Sequence, residues 1–522
     1  MIRRASIAYH RIEHGFDGVF GAALNPWRHL GALGFLFFWI IAVTGLYLYA
    51  VLDTSVDGAY RSINWLSREQ WYLGGVLRSL HRYAADAFVL VTLLHLAREF
   101  LLGRYTGFRH FSWITGVPLL WFIYISGVVG IWLRWDQLAQ FSAVATAEWL
   151  DALPVFATPL VRNYLSASAV SDRLFSLFVF VHIGAPLLLI FGLWFHIQRI
   201  SRAEVFPPSA LAAGSLLALL ALSFSVPVTS QAAADLSLVP GPLALDWFYL
   251  FWQPLMYSTS AGAVWVLVGG ATLLLFVLPA LPHAAASPVA IVDPDNCNGC
   301  RRCFDDCPYA AIVMVPHPSG FAGRQLARVI PDLCAGCGIC AGSCPSSTPF
   351  RSAAELLTGI DMPQMPIGAL RRAMERGLAQ LKGENGIVVF GCDQGANVAS
   401  LAGKDVACFS LICSGMLPPS FVEYALRGGA AGVLVTGCRA GGCAFRLGNR
   451  WTGERLAGMR EPHLRASPPG NALRIAWADR GEEVGLGAAL DDLRQALAAE
   501  RSRNVDPIAN PIAASAGTMA HG

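Results

Sequence analysis

All thirteen cysteines lie between Cys297 and Cys443. Eight fall into a repeat of period 37, Cys297-x2-Cys300-x2-Cys303-x3-Cys307-Pro308 and Cys334-x2-Cys337-x2-Cys340-x3-Cys344-Pro345. This is the bacterial 4Fe–4S spacing, in which the fourth cysteine of each run ligates the other cluster. Cluster one would take Cys297, Cys300, Cys303 and Cys344, and cluster two Cys334, Cys337, Cys340 and Cys307. Zinc sites use paired CxxC without a third and fourth cysteine at this spacing. The chemistry expected is one-electron transfer.

Four histidines form a second pattern. His81 and His95 are 14 residues apart, as are His182 and His196. Fourteen residues are close to four helical turns, ~21 Å of rise, so each pair lies on one helix face. In an up-down bundle the two helices run the same way, and His81 faces His182 near the outer surface while His95 faces His196 near the inner one. Two stacked bis-histidine sites suit two b-type haems, because imidazole suits iron and the axial ligand helps set the potential. Gly31 and Gly45, and Gly116 and Gly130, repeat the same interval. Glycine permits the close backbone approach that a wedged porphyrin needs. Arg78 and Arg98, each three residues from a histidine, are candidate haem-propionate partners. Buried polar residues of no function would not be expected to fall into such matched sets, and ionisable groups inside a membrane are read as functional first.

Those histidines need helices in lipid. The chain has 522 residues, 55% apolar and 14% charged, with formal net charge +3. Soluble domains carry about 25% charged residues, which excludes a wholly soluble protein, and the small net charge gives no case for nucleic acid. A span needs about 20 apolar residues. Six are expected, over 30–52, 76–102, 111–133, 174–198, 208–229 and 254–281; Arg78, Arg82, Asp86 and Arg98 interrupt the second. Arg82 and Asp86 are four apart, share a helix face and can pair. Arginine in the short loops favours a cytoplasmic N-terminus. Six spans then return the cysteine-rich half to the cytoplasm, where thiolates survive. No apolar run begins before Leu30, so no signal peptide is expected.

Residues 10–280 resemble the respiratory and photosynthetic cytochrome b family. Beyond the spacings, GVVGIWLRWDQLAQFSAVAT and SDRLFSLFVFVH look like that family's third helix with its surface loop and the start of its fourth helix. The resemblance implies two haems b and quinone chemistry. Leu245-Asp246-Trp247-Phe248 stands where that family has Pro-Glu-Trp-Tyr at its outer quinol site, which makes Asp246 and Trp247 quinone-site candidates. Asp246 can equally be an interfacial helix cap. No cysteine precedes Cys297, so no thioether-linked haem is expected in this half. The cysteine repeat resembles the two-cluster ferredoxin family, with AIV, AIVMV and ARVI as flanking strands.

From Gly386 apolar runs alternate with helical stretches, which reads as α/β with a small parallel sheet. Cys392, Cys413 and Cys438 fall just past strand ends, where open α/β sheets place their sites, and Cys443 follows five residues on. Four converging thiolates would hold a further iron–sulfur centre; scattered structural cysteines are the alternative. Cys408, inside a strand, reads as packing. FGCDQG, ICSGMLPPSFVEYALRGGAAGVLVTGC and RAGGCAFRLGN resemble the delta subunit of methyl-viologen-reducing hydrogenase. That resemblance implies a 2Fe–2S cluster on Cys392, Cys413, Cys438 and Cys443, and a dehydrogenase or hydrogenase partner.

The expected architecture is multidomain. An all-α six-helix dihaem bundle (1–285) precedes an α+β bacterial-type ferredoxin (286–352) and a linker (353–385). A small α/β iron–sulfur domain (386–502) and a disordered tail (503–522) follow. No GxGxxG follows a strand, so flavin or nicotinamide chemistry would belong to a partner. The expected function is a quinone-linked oxidoreductase subunit of a bacterial or archaeal cytoplasmic membrane, within a multisubunit complex or a dimer. It would join a cytoplasmic dehydrogenase, hydrogenase or heterodisulfide-reductase-like flavin subunit to the quinone pool. Two alternatives stand beside it: a quinol-oxidising conduit feeding a low-potential cytoplasmic acceptor, and a redox sensor or scaffold.

Overall fold

The computed structural model describes residues 2–155, 159–160, 165–166, 169–281, 288–320, 323–352, 355–381 and 385–505. Two compact units, Met1–Ala285 and Ala286–Gly522, divide the chain.

The first unit is helical because its long charge-free stretches can satisfy backbone hydrogen bonds only internally. Its main helices are α1 (Ile2–Phe20), α2 (Leu30–Val51), α3 (Gly58–Arg68), α4 (Val76–Leu101), α5 (His110–Trp132), α6 (Gln137–Asp151), α7 (Asp172–Ile197) and α8 (Ser209–Ser225). Short α9 (Trp247–Leu250) and α10 (Trp252–Ser258) lead into α11 (Ala261–Val277). Helices occupy all six expected spans. Among the described residues, four helical stretches are long and apolar enough to cross a membrane by length and composition: Leu30–Val51, Gly107–Trp132, Asp172–Ile197 and Ala261–Ala280. Helix α4 is continuous but carries Arg78, Arg82, Asp86 and Arg98, and α8 has 17 residues. The last expected span, 254–281, is corrected: residues up to Ser258 belong to α10. A new helix then starts where the Ser260 side chain accepts from Ala263 N, a local cap that ends one helix and begins another.

Helix α2 packs along α4, and α5 along α7, while the two pairs touch each other sparsely. An apolar layer including Phe37, Phe88, Leu119, Ile123 and Leu189 fills the middle. Buried Asp136 ties down the loop after α8: its carboxylate caps α6 at Ala139 N, 3.0 Å, and accepts from Gln231 N at 3.0 Å.

The second unit opens with β1 (Ile291–Val292), α12 (Arg302–Asp306), β2 (Ile312–Pro316), β3 (Gln325–Val329), α13 (Ile339–Ser343), β4 (Ile360–Asp361) and α14 (Ile367–Gln380). Strands β1 and β4 pair antiparallel, as do β2 and β3. The expected linker at 353–385 is corrected: β4 pairs with β1, and α14 buries Ile367, Leu370 and Met374. Its charged outer face hid that apolar stripe.

Next come β5 (Ile387–Cys392), β6 (Val406–Leu411), α15 (Ser420–Arg427), β7 (Gly432–Gly437), α16 (Gly448–Leu456), β8 (Leu473–Trp477) and α17 (Glu483–Val505). The sheet is fully parallel in the order β6-β5-β7-β8. The expected tail at 503–522 is corrected at its start, because α17 runs through residue 505; the rest lies outside the described residues.

Candidate functional site

Each predicted histidine meets a predicted glycine on the helix it packs against. A Cβ built on Gly45 would lie 3.1 Å from the His81 ring, and one on Gly31 3.6 Å from His95. The same atom on Gly116 would lie 3.1 Å from His196, and on Gly130 2.7 Å from His182. The glycines therefore make room first for an imidazole of the neighbouring helix. The antiparallel run of α2 against α4, and of α5 against α7, explains the crossed order of both pairings.

The ring centroids of His81 and His182 are 6.3 Å apart, with planes at 60°. His81 Nδ1 lies 3.1 Å from Ile41 O and 3.0 Å from Thr44 Oγ1. His182 Nδ1 lies 2.9 Å from Ser126 O. A backbone carbonyl on Nδ1 fixes the tautomer that leaves Nε2 as the ligand nitrogen. His196 Nδ1 lies 3.3 Å from Thr115 Oγ1. Metal–imidazole bonds of about 2 Å on opposite faces of one ion leave ring centroids roughly 6 Å apart, so the upper pair fits an ion between two axial imidazoles. The sparse contact between the helix pairs suits a flat group wedged there.

Arg78 is buried and donates to Ser67 Oγ at 2.5 Å and Ser230 Oγ at 2.8 Å. Arg98 is also buried and pairs with Glu13 of α1 at 2.9 Å and with Glu99. Arg82 pairs with Asp86, as its spacing suggests, and also with Asp246. Asp246 is buried and caps α9 at Tyr249 N, 3.3 Å, whereas Trp247 beside it is exposed.

In the second unit the repeat of period 37 reappears in the backbone. Gly299 and Gly336 adopt φ of 68° and 66°, and Arg301 and Gly338 φ of 65° and 75°. These left-handed residues bend each loop tightly enough to turn three cysteines inward. One recess of about 300 Å³ is lined by Cys297, Cys300, Cys303 and Cys344. The other, about 340 Å³, is lined by Cys307, Cys334, Cys337 and Cys340. The fourth cysteine of each run thus sits at the other run's recess. Burial pushes the Cys303 thiol up to about 12, and raises Cys337 and Cys340 as well. Such thiols are neutral unless a cation displaces their protons, and the donor set fits a cubane cluster.

Cys392, Cys413, Cys438 and Cys443 are all buried at the carboxyl edge of the parallel sheet. Their thiols lie close enough to act on one another, Cys392 on Cys438 and Cys413, and Cys413 on Cys443. The neighbouring thiols pull Cys392 well below the usual thiol range and Cys443 down to about 7, and the same contacts raise Cys413 and Cys438 well above it. Four soft donors held this closely fit an iron–sulfur centre. A Cβ on Gly448 would meet Cys413 Sγ at 2.1 Å, so only glycine fits there. Cys408 lies in β6 opposite Val389, away from the four thiols. The cysteine spacings do not reveal Gly448, nor the linked Asp306, Trp451 and Arg455 beside the cysteine loops.

The composition and these sites define a membrane protein built from electron-transfer components. Residues 17–203 match the family Cytochrome b/b6/petB, 296–348 the 4Fe-4S dicluster domain, and 387–499 the methyl-viologen-reducing hydrogenase, delta subunit. A chain of a solved structure titled "Hyperthermophilic respiratory Complex III" is similar at 19% identity and a TM-score of 0.41, covering 49% of this chain and 75% of that one. The family matches, in that order, make the chain a cytochrome b region followed by iron–sulfur domains, with haem b and 4Fe–4S as its cofactor types. It is an oxidoreductase-type subunit.

Proposed function

We propose that the chain joins a soluble redox partner to the quinone pool of a bacterial or archaeal cytoplasmic membrane. In this reading six helices span the bilayer, with the N-terminus and the iron–sulfur domains on the cytoplasmic side. His81 with His182 and His95 with His196 are the axial ligands of two haems b. The two cysteine recesses hold 4Fe–4S clusters, and Cys392, Cys413, Cys438 and Cys443 hold a 2Fe–2S cluster. When bound, these groups supply one-electron exchange. The protein's part is to hold and space them: Ile41 and Ser126 carbonyls orient the upper imidazoles, and the glycines admit them. Arg78, with its hydrogen bonds on neutral hydroxyls, is the stronger propionate candidate, because Arg98 is held by Glu13. The partner is a dehydrogenase, hydrogenase or heterodisulfide-reductase-like flavin subunit docked on the C-terminal domain.

The observation that carries this reading is the gathering of twelve cysteines into three four-sulfur sites on a chain that also brings His81 and His182 together. Isolated membranes test it. Haem reduction that appears only with the partner and its substrate supports the reading. Prompt reduction by quinol alone, with the partner absent, supports the reverse flow. One feature favours that second reading: a buried carboxylate, Asp246, beside an outward-facing Trp247, where a lipid-soluble quinol would arrive. Response to neither donor overturns both.

A further inference from the structure

Arg455 on α16 is fully buried, yet it carries a guanidinium that is never neutral in proteins. Burying such a charge costs several kcal/mol before its partners are counted, and a buried pair is often no better than apolar packing. Its partners explain why it is there. Nη2 donates to Asp306 Oδ2 at 2.5 Å and Ser343 Oγ at 2.6 Å. Nη1 donates to Gly415 O at 2.8 Å.

Asp306 immediately precedes Cys307, which lines the second recess. Ser343 precedes Cys344, which lines the first. Gly415 lies two residues past Cys413 of the four-thiol site. One planar fork with fixed donor geometry therefore fastens a loop from each of the three cysteine groups. The surroundings reinforce it. Trp451, also fully buried, donates its indole N–H to Asp306 O at 3.1 Å, and Arg460 adds a second guanidinium to Asp306 at 2.6 Å. Cys337 shares one buried apolar cluster with Cys392, Cys413, Cys438, Cys443 and Trp451. In the first recess, by contrast, Cys300 is exposed.

We propose that Arg455 is a positioning residue that sets the spacing between the four-thiol site and the recess of Cys307, Cys334, Cys337 and Cys340. The four-thiol site then exchanges electrons with that recess in preference to the one of Cys297. Each exchange is a single electron lost on one side and gained on the other, with no bond or proton moved. A lysine at 455 would keep the charge as a compact point on a flexible stem but lose the fork.

This inference rests on the three sites holding iron–sulfur centres. The test uses the full chain in detergent, loaded anaerobically, with iron and sulfide counted and the electron spin resonance of the fully reduced protein recorded. Wild-type protein with no iron at the four thiols would sink the proposed function before any variant is made. With all three sites loaded, Arg455→Lys is expected to keep wild-type iron and sulfide while the spin–spin broadening between the four-thiol site and its neighbour is lost. Arg460→Lys, which touches Asp306 but none of the other loops, is expected to retain that broadening. Unchanged broadening in a fully loaded Arg455→Lys protein overturns the proposal. So does loss of iron from Arg455→Lys alone, since Arg455 would then serve assembly and not spacing.

Discussion

His81 and His182 stand with their ring centroids 6.3 Å apart, and each turns its Nδ1 onto a main-chain carbonyl. Both Nε2 atoms are left for an ion between them. The spacing depends on Gly130, because any side chain there would press on the His182 ring at 2.7 Å. On the proposed two-haem reading, Gly130→Val is therefore expected to displace His182 and remove one haem, read by pyridine haemochrome content per protein. Gly184→Ala, on the same helix as His182 with nothing within 4 Å of its added methyl, should keep both. Full haem content in Gly130→Val would break the link between this glycine and the upper site.

The lower site gives an independent expectation. His95→Ala should remove the haem of His95 and His196 and leave the His81 and His182 absorbance in place. Gly31 tolerates more than Gly130, since its Cβ would sit at an ordinary 3.6 Å from His95. Gly31→Ala should accordingly retain the lower haem, while His95→Ala should not. Loss of both haems, or of neither, from His95→Ala would be incompatible with two separate levels.

Arg82 holds two carboxylates, Asp86 and Asp246, in a largely buried setting. Arg82→Met strands both, and breaking a buried pair costs about 3–5 kcal/mol. The melting temperature in detergent should fall clearly, and Asp246→Asn added to Arg82→Met should recover part of the loss by removing one stranded charge. An additive double variant would show that Asp246 and Arg82 act separately.

Local spacing made much of this legible in the sequence, and long-range pairing hid the rest. The cysteine loops are short, so Cys297 to Cys307 and Cys334 to Cys344 announce themselves in single runs. Fourteen-residue intervals are a helical property, which is why four histidines and four glycines could be matched before any contact was known. Asp86 was visible as a partner of Arg82 because it lies four residues away, whereas Asp246 lies 164 residues away and was not. Helix α14 escaped because Arg372, Glu375 and Arg376 face outward over a narrow apolar stripe. Arg455 gave no sign at all: its meaning lies in three loops that come together only in the folded second unit.

Cys408 and Cys392 separate packing from ligation. Both belong to the parallel sheet, but Cys408 sits mid-strand and Cys392 at the carboxyl end among three other sulfurs. Cys408→Ala should leave iron and sulfide content unchanged. Cys392→Ser should lose the centre of the four-thiol site while both cubane sites remain loaded. Iron lost from Cys408→Ala would make it a ligand after all.

Iron retention should depend on pH with a definite sign. Burial raises the Cys303 thiol to about 12 and lifts Cys337 and Cys340 too, so at neutral pH each holds its proton when no iron is bound. Binding iron must expel those protons. Lowering the pH supplies the competitor and weakens binding, while raising it toward the thiol pKa relieves the competition. With a chelator present and oxygen excluded, iron should leave the cubane sites faster at pH 6 than at pH 8. At the four-thiol site the shifts oppose one another: Cys392 lies well below the usual thiol range and Cys443 is drawn down to about 7, but Cys413 and Cys438 are raised well above it, so no smaller response is expected there. Spectra that resolve the two kinds of centre during chelation measure both rates at once. Iron loss from the cubane sites that is equal at pH 6 and pH 8 would show that buried thiol protonation does not govern it.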